Sequence, residues 1–108
     1  MSEEKMQIIY NVTISVDVEK SEEWLAWMKE VHIPNVMNSG FFIESKISKV
    51  IGHEEGGKTF AVQYLCENMA TYEQYQTEAA PALQEHHTKL FGTKTAAFRT
   101  ILRVHQSF

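Results

Sequence analysis

Five histidines, four tyrosines and two tryptophans are the side chains of this chain best suited to chemistry or to holding a ligand. Imidazole is the usual acid, base and metal ligand near neutral pH, and position in the sequence sorts the five. His53 sits at a turn and His105 near the carboxyl end, so both read as solvated bystanders. His86 and His87 are adjacent, pointing about 100° apart on a helix, and lack the four-residue spacing with which two imidazoles grip one metal. No metal site is expected. His32 and His86 each lie on or beside the apolar stripe of a helix and can reach the space between helices and sheet. Each is either a core histidine bonded to the backbone or a member of a site.

Tyr10 and Tyr64 project from the apolar faces of two strands, and a buried phenol needs a hydrogen-bond partner. His32 or His86 can supply one. With Trp24 or Trp27 beside them, these groups would line a mostly apolar pocket with a few placed polar atoms, the usual form of a small-molecule site. The competing reading is an aromatic core, because Trp and Tyr stripes at helical spacing pack well on their own. Cys66 has no recognisable base, no serine sits in a glycine-rich elbow, and there is no phosphate-binding glycine pattern. No cofactor is therefore expected. Arg99 and Arg103 flank Ile101 and suit either an anion or an interface salt bridge to Glu44.

The elements that must position these groups follow from periodicity. Met6 to Val18 alternates, with Ile8, Tyr10, Val12, Ile14 and Val16 on one face, and reads as a half-buried strand. Ser21 before Glu22 and Glu23 marks a helix start, and Trp24, Trp27, Met28 and Val31 share its apolar face. Pro34 should break or kink this helix, and Gly40 stops it. Phe41 to Gly52 alternates with Phe41, Ile43, Ile47 and Ile51 on one face, and Thr59 to Glu67 returns as the second arm of a hairpin. Ala70 to Phe91 is helical, with Tyr72, Tyr75, Ala79, Leu83, His86 and Leu90 in one stripe and a kink at Pro81. Thr95 to Val104 forms the last strand, with Ala96, Phe98, Leu102 and Val104 opposite Arg99 and Arg103.

The order strand, helix, strand, strand, helix, strand predicts an α+β, ferredoxin-like βαββαβ fold, a four-stranded antiparallel sheet with both helices on one face. Residues 1–5 read as a polar tail and 6–108 as one domain. The uncovered face is expected to carry Asn11, Thr13, Ser15, Glu44, Lys46, Gln63, Leu65, Arg99 and Ile101, of which Gln63, Leu65, Arg99 and Ile101 are the candidate dimer contacts.

Composition narrows the function. At 108 residues and 44% hydrophobic the chain can bury a core as one domain. A net charge of −4 with scattered basic residues argues against a nucleic-acid binder. No apolar run approaches the ~20 residues of a membrane span. The amino end is acidic and polar where a secretory signal would be positive and then apolar, so a cytoplasmic location is expected. One cysteine excludes an internal disulfide, and Asn11-Val-Thr13 matches a glycosylation pattern inside a strand, where it carries no weight.

The segments Ile8-Ile-Tyr-Asn-Val-Thr13, Trp24-Leu-Ala-Trp-Met28 with His32-Ile-Pro34, Gln63-Tyr64 and Ala97-Phe-Arg-Thr100 resemble a family of short bacterial proteins grouped as a domain of unknown function. The resemblance covers all but Met1 to Lys5. The pattern is also similar, more distantly, to the dimeric α+β barrel superfamily and its antibiotic-biosynthesis-monooxygenase-like members. That resemblance implies a homodimer joined through its sheets and a cleft between helices and sheet. Cofactor-free oxygenases and haem-degrading members of that superfamily place some pocket residues on the first helix, where Trp24, Trp27 and His32 lie.

Three functions follow as expectations. The first is a homodimer binding a small apolar or aromatic molecule among Tyr10, Trp24, Trp27, His32, Tyr64 and His86. The second is an oxygenase-like or isomerase-like enzyme with His32 or His86 transferring a proton and Tyr10 or Tyr64 orienting substrate. The third is a structural or interaction module that works through the uncovered sheet face.

Overall fold

The computed structural model describes residues 2–52, 54 and 56–108, so His53 lies outside the described residues. Its strands are β1 (Ile8–Asp17), β2 (Phe42–Lys49), β3 (Gly57–Cys66) and β4 (Thr95–Arg103). Between β1 and β2 run α1 (Ser21–Trp27), a π-helical stretch (Met28–His32) and α2 (Ile33–Asn38), and between β3 and β4 run α3 (Met69–Glu78) and α4 (Ala80–Phe91). The strands form one sheet in the order β2-β3-β1-β4, every neighbouring pair antiparallel. This is the ferredoxin-like βαββαβ arrangement expected from the periodicity.

The central strand β1 sets the core. Paired on both sides, it has its backbone groups satisfied by β3 and β4. Its alternating Ile8, Tyr10, Val12, Ile14 and Val16 are buried beneath the helices. Opposite residues of an antiparallel pair share a face. Val12 and Tyr10 therefore align Val62 and Tyr64 of β3 on the buried side, and Ile8 aligns Cys66.

The first helical segment runs past Pro34 and ends at Asn38, ahead of the expected stop at Gly40. It opens at Ser21, whose buried hydroxyl donates to the Val18 carbonyl at 2.9 Å, and continues to Asn38 without a break. Proline lacks an N–H for the carbonyl four residues back, and its ring crowds that carbonyl. Here the wider π turn at Met28–His32 falls on the residues before Pro34 and takes up the mismatch. Gly40, at φ +85°, ends the segment, its N–H donating to the Met37 carbonyl at 3.1 Å.

Three local phases differ from the expected ones, and each bears on the site. On β2 the register shifts between Phe42 and Glu44, so Phe42 rather than Phe41 or Ile43 packs inside, and Ile43 is 55% exposed. Ile51 lies beyond the strand, exposed. The second helical segment divides at Ala79, two residues before Pro81, because proline has no N–H for the carbonyl four residues back and its ring crowds that carbonyl. The inward stripe thus moves on by one residue, from Tyr72 and Tyr75 to Ala80, His87 and Phe91, and leaves His86 and Leu90 exposed.

The largest correction is on β4. The register pairs Val12 with Arg99, Tyr10 with Ile101 and Ile14 with Ala97, which puts Ala97, Arg99 and Ile101 on the helix side. Arg99 and Ile101 are thus not on the uncovered face. Phe98 pairs with Thr13 and Leu102 with Ile9 on the outer face, joined there by Leu65 and Gln63 of β3. The apolar alternation of β4 is real, but it points away from the core of its own chain, leaving Phe98 64% exposed.

Candidate functional site

A cleft of about 280 Å³ opens between the helices and the β1–β4 half of the sheet. Strands β1, β3 and β4 lay its floor with Tyr10, Val12, Tyr64, Ala97 and Arg99, while His32 of the π stretch, Tyr75 of α3 and His87 of α4 form the opposite wall. Its volume falls near the lower end of small-molecule sites, about 300–1,000 Å³. The described residues contain no cluster of three or more potential metal ligands.

The floor is aromatic and layered. Tyr10 stacks on Tyr64 with ring centres 5.8 Å apart and meets the tilted rings of Tyr72 and Tyr75 at 5.2 and 5.9 Å. Phe42 closes the group, 4.7 Å from Tyr75. Burial pushes the phenols of Tyr64, Tyr72 and Tyr75 upward, so they remain protonated donors at neutral pH. The Tyr10 hydroxyl accepts a hydrogen bond from Arg99 Nε at 2.9 Å across the β1–β4 pairing.

The histidine wall rests on Trp24. Its indole is fully buried, packs on Phe60 at 5.1 Å, and donates through Nε1 to His87 Nε2 at 2.9 Å. An indole N–H can only donate, so His87 Nε2 must be the bare acceptor and its neutral ring carries the proton on Nδ1. Burial, and then the Arg99 guanidinium, lower the pKa of His87 and hold it in that neutral form. His32 lies 5.8 Å from His87, ring to ring, and leans on Trp27 at 5.3 Å. Burial first, with His87 and His86 adding to it, lowers its pKa to about 4. Its Nδ1 is buried with no hydrogen-bond partner among the described residues. At neutral pH the wall therefore holds two uncharged imidazoles, and the unpartnered Nδ1 of His32 is itself buried.

Three of the six candidate ligand residues, Tyr10, His32 and Tyr64, line the cleft. Trp24 and Trp27 do not: Trp24 lies behind His87, and Trp27 is wedged among His32, His86, His87 and Phe91. His86 is exposed on the far side of Trp27, 5.2 Å from it edge-on. In their place stand His87, Tyr75 and Arg99. Pro81 hinted at the first, since a helix restarted there turns His87 inward. For Arg99 the only signal was its opposition to Val12, which requires the strand register.

Residues 7–105 match the family described as domain of unknown function DUF4286, and the chain belongs to that family. No curated protein sequence matches it. In structure it is similar to SnoaB, a cofactor-independent oxygenase from Streptomyces nogalater, with a TM-score of 0.64 at 10% identity, covering 94% of this chain and 96% of that one. An ethyl tert-butyl ether d (EthD) family protein from Bacillus halodurans gives 0.65 at 11% identity, covering 86% and 96%. A dimeric ferredoxin-like protein from an uncultured marine organism gives 0.63 at 13% identity, covering 95% and 99%. At these identities the likeness is one of fold.

The lowered pKa of His32 sets a pH dependence. The unfolded chain binds a proton at this ring near pH 6.5 and the folded chain only near about 4. Stability is therefore full above pH 6.5 and falls as the pH drops through that window. The expected loss from His32 is at most about 3 kcal/mol by pH 4. Urea unfolding at pH 7.5 and 5.5 should show a lower midpoint at 5.5, and His32→Leu should remove a substantial part of that difference.

Proposed function

We propose that this protein binds a compact, largely aromatic small molecule in the cleft between helices and sheet. The observation that carries the reading is the cleft itself: a core otherwise closed by aromatic packing leaves about 280 Å³ open, lined by Tyr10, His32, His87 and Arg99. Apolar walls with a few fixed donors and acceptors are the usual makeup of such sites.

The working form is a homodimer joined through the outer sheet faces. Leu65, Ile9 and Leu102 lie in one row across β3, β1 and β4, with Phe98 nearby. Phe98 and Leu102 are 64% and 41% exposed in the single chain. Apolar side chains aligned on one face of a sheet favour a covering layer, and a two-fold pairing of like faces supplies one. The structurally similar dimeric ferredoxin-like protein points the same way. We assign the protein to the cytoplasm, where the free, buried Cys66 stays reduced. Its acidic balance disfavours nucleic-acid partners, and no helix among the described residues is long and apolar enough to cross a membrane.

A second reading, catalysis by proton transfer, is favoured by His32 alone. It is a neutral base in a shielded cleft, with Nδ1 bonded to nothing among the described residues. With its pKa held near 4 the ring is a weak base, so this reading requires a bound carbon acid whose anion is stabilised by Arg99 across the cleft. The oxygenase-like chemistry of SnoaB belongs to this reading by likeness of fold only.

Binding of 2-naphthol, followed by quenching of tryptophan fluorescence, should saturate in the native protein. Ala97→Phe, which fills the cleft from the edge strand, should weaken it at least tenfold without lowering the melting temperature, and unchanged binding would place the ligand elsewhere. In sedimentation the native chain should run as a dimer and Leu102→Glu as a folded monomer. For the second reading, solvent-deuterium exchange at an acidic carbon of a bound aromatic ketone such as 2-tetralone should be accelerated by the native protein. His32→Gln should slow it about 100-fold, within the ~10²–10⁴ range of general-base effects.

A further inference from the structure

Among the described residues that line the cleft, Arg99 is the one that carries a charge, and none of them is a carboxylate. Its Nε is committed to the Tyr10 hydroxyl. The guanidinium carries four further N–H donors, and these meet no acceptor among the described residues. The ion pairs recorded for the described residues lie elsewhere: Lys94 with Asp17 and Glu19, Lys49 with Glu54, Lys20 with Glu23, Lys89 with Glu85, and Arg103 with Glu3.

The rest of the cleft adds donors without adding charge. The His87 proton lies on Nδ1 because Trp24 occupies the other nitrogen. Tyr64 and Tyr75 keep their hydroxyl protons. With one fixed positive charge, several neutral donors and no negative group, the site favours an anion and disfavours a cation. The protein as a whole carries a net charge of −4 and repels anions. Any preference for an anionic ligand must then arise locally, at Arg99.

Resting on the proposed binding cleft, we propose that its natural ligand is a compact aromatic carboxylate. The ring system lies against the tyrosine floor, and the carboxylate takes the two terminal amino groups of Arg99 end-on. End-on pairing is the mode left open because Nε is spent on Tyr10. Two parallel N–H···O bonds match the two oxygens of a carboxylate. Tyr10 is then a positioning residue, holding the guanidinium at the mouth of the cleft. The volume of about 280 Å³ admits one or two fused rings rather than a longer polycycle.

The test is isothermal titration at pH 7.5 with 2-naphthoate and 2-naphthamide, which share ring and shape and differ in charge. The native protein should bind the carboxylate at least tenfold more tightly. Arg99→Gln, which keeps a donor for Tyr10, should abolish that preference. Arg99→Lys should retain part of the preference, and a native-like circular dichroism melt for both variants separates lost charge from lost fold. Equal affinity of the native protein for both probes would overturn the carboxylate assignment and leave the aromatic cleft standing. So would a preference that survives in Arg99→Gln. Binding of neither probe would overturn the cleft reading and this one together.

Discussion

The hydrogen bond from the Trp24 indole to His87 organises the helical layer. A fully buried indole N–H needs an acceptor, and leaving it unmet would cost on the order of 1–3 kcal/mol. The acceptor comes from α4, 63 residues away in the chain, so one bond ties the first helix to the last. It also fixes which way α4 faces, because only one rotation about its axis brings His87 onto Trp24. The same bond settles the tautomer of His87 and, with burial, keeps it uncharged. Trp27 then fills the space between His32, His86, His87 and Phe91, holding the histidine wall in shape.

Beneath that wall, charge is distributed unevenly. Two imidazoles are held neutral by burial, and the buried phenols are held protonated by the same cause. Only Arg99 keeps a formal charge, being anchored at the exposed edge strand where water still reaches it. The pattern differs from a core salt bridge, in which each charge meets its opposite. Among the described residues that line the recess, none carries the opposite charge.

The outer face of β4 poses the converse question. Its apolar residues are aligned as if for burial, yet Phe98 and Leu102 stay exposed among the described residues. A strand that contributes a guanidinium to the cleft on one side and Phe98 and Leu102 to the sheet surface on the other belongs to two environments at once. Alternation makes this possible, since successive side chains leave opposite faces. It also links the two: a change of register on β4 would move Arg99 out of the cleft and Phe98 into it.

Much of the fold was legible in the residues alone. The alternation of β1, the carboxylates after Ser21 and the turn-rich hairpin each report on neighbours close in sequence, where the period of the hydrophobic pattern directly reflects local geometry. That Tyr10, His32 and Tyr64 line the cleft follows for the same reason, since each sits on an apolar stripe of its own element. Phase was the weaker point. The bulge after Phe42, the restart of α4 at Ala80 and the inward face of β4 each turn on a single-residue shift. Such a shift reverses or rotates every later side chain, and long-range pairing rather than local pattern selects it. That is why His87 replaced His86 and why Arg99 moved from the outer face to the cleft. The sequence by itself determined the kind of fold and its aromatic centre. Tertiary structure decided which charge and which histidine face the cleft, because strand register and helix rotation are set by contacts between residues far apart in the chain.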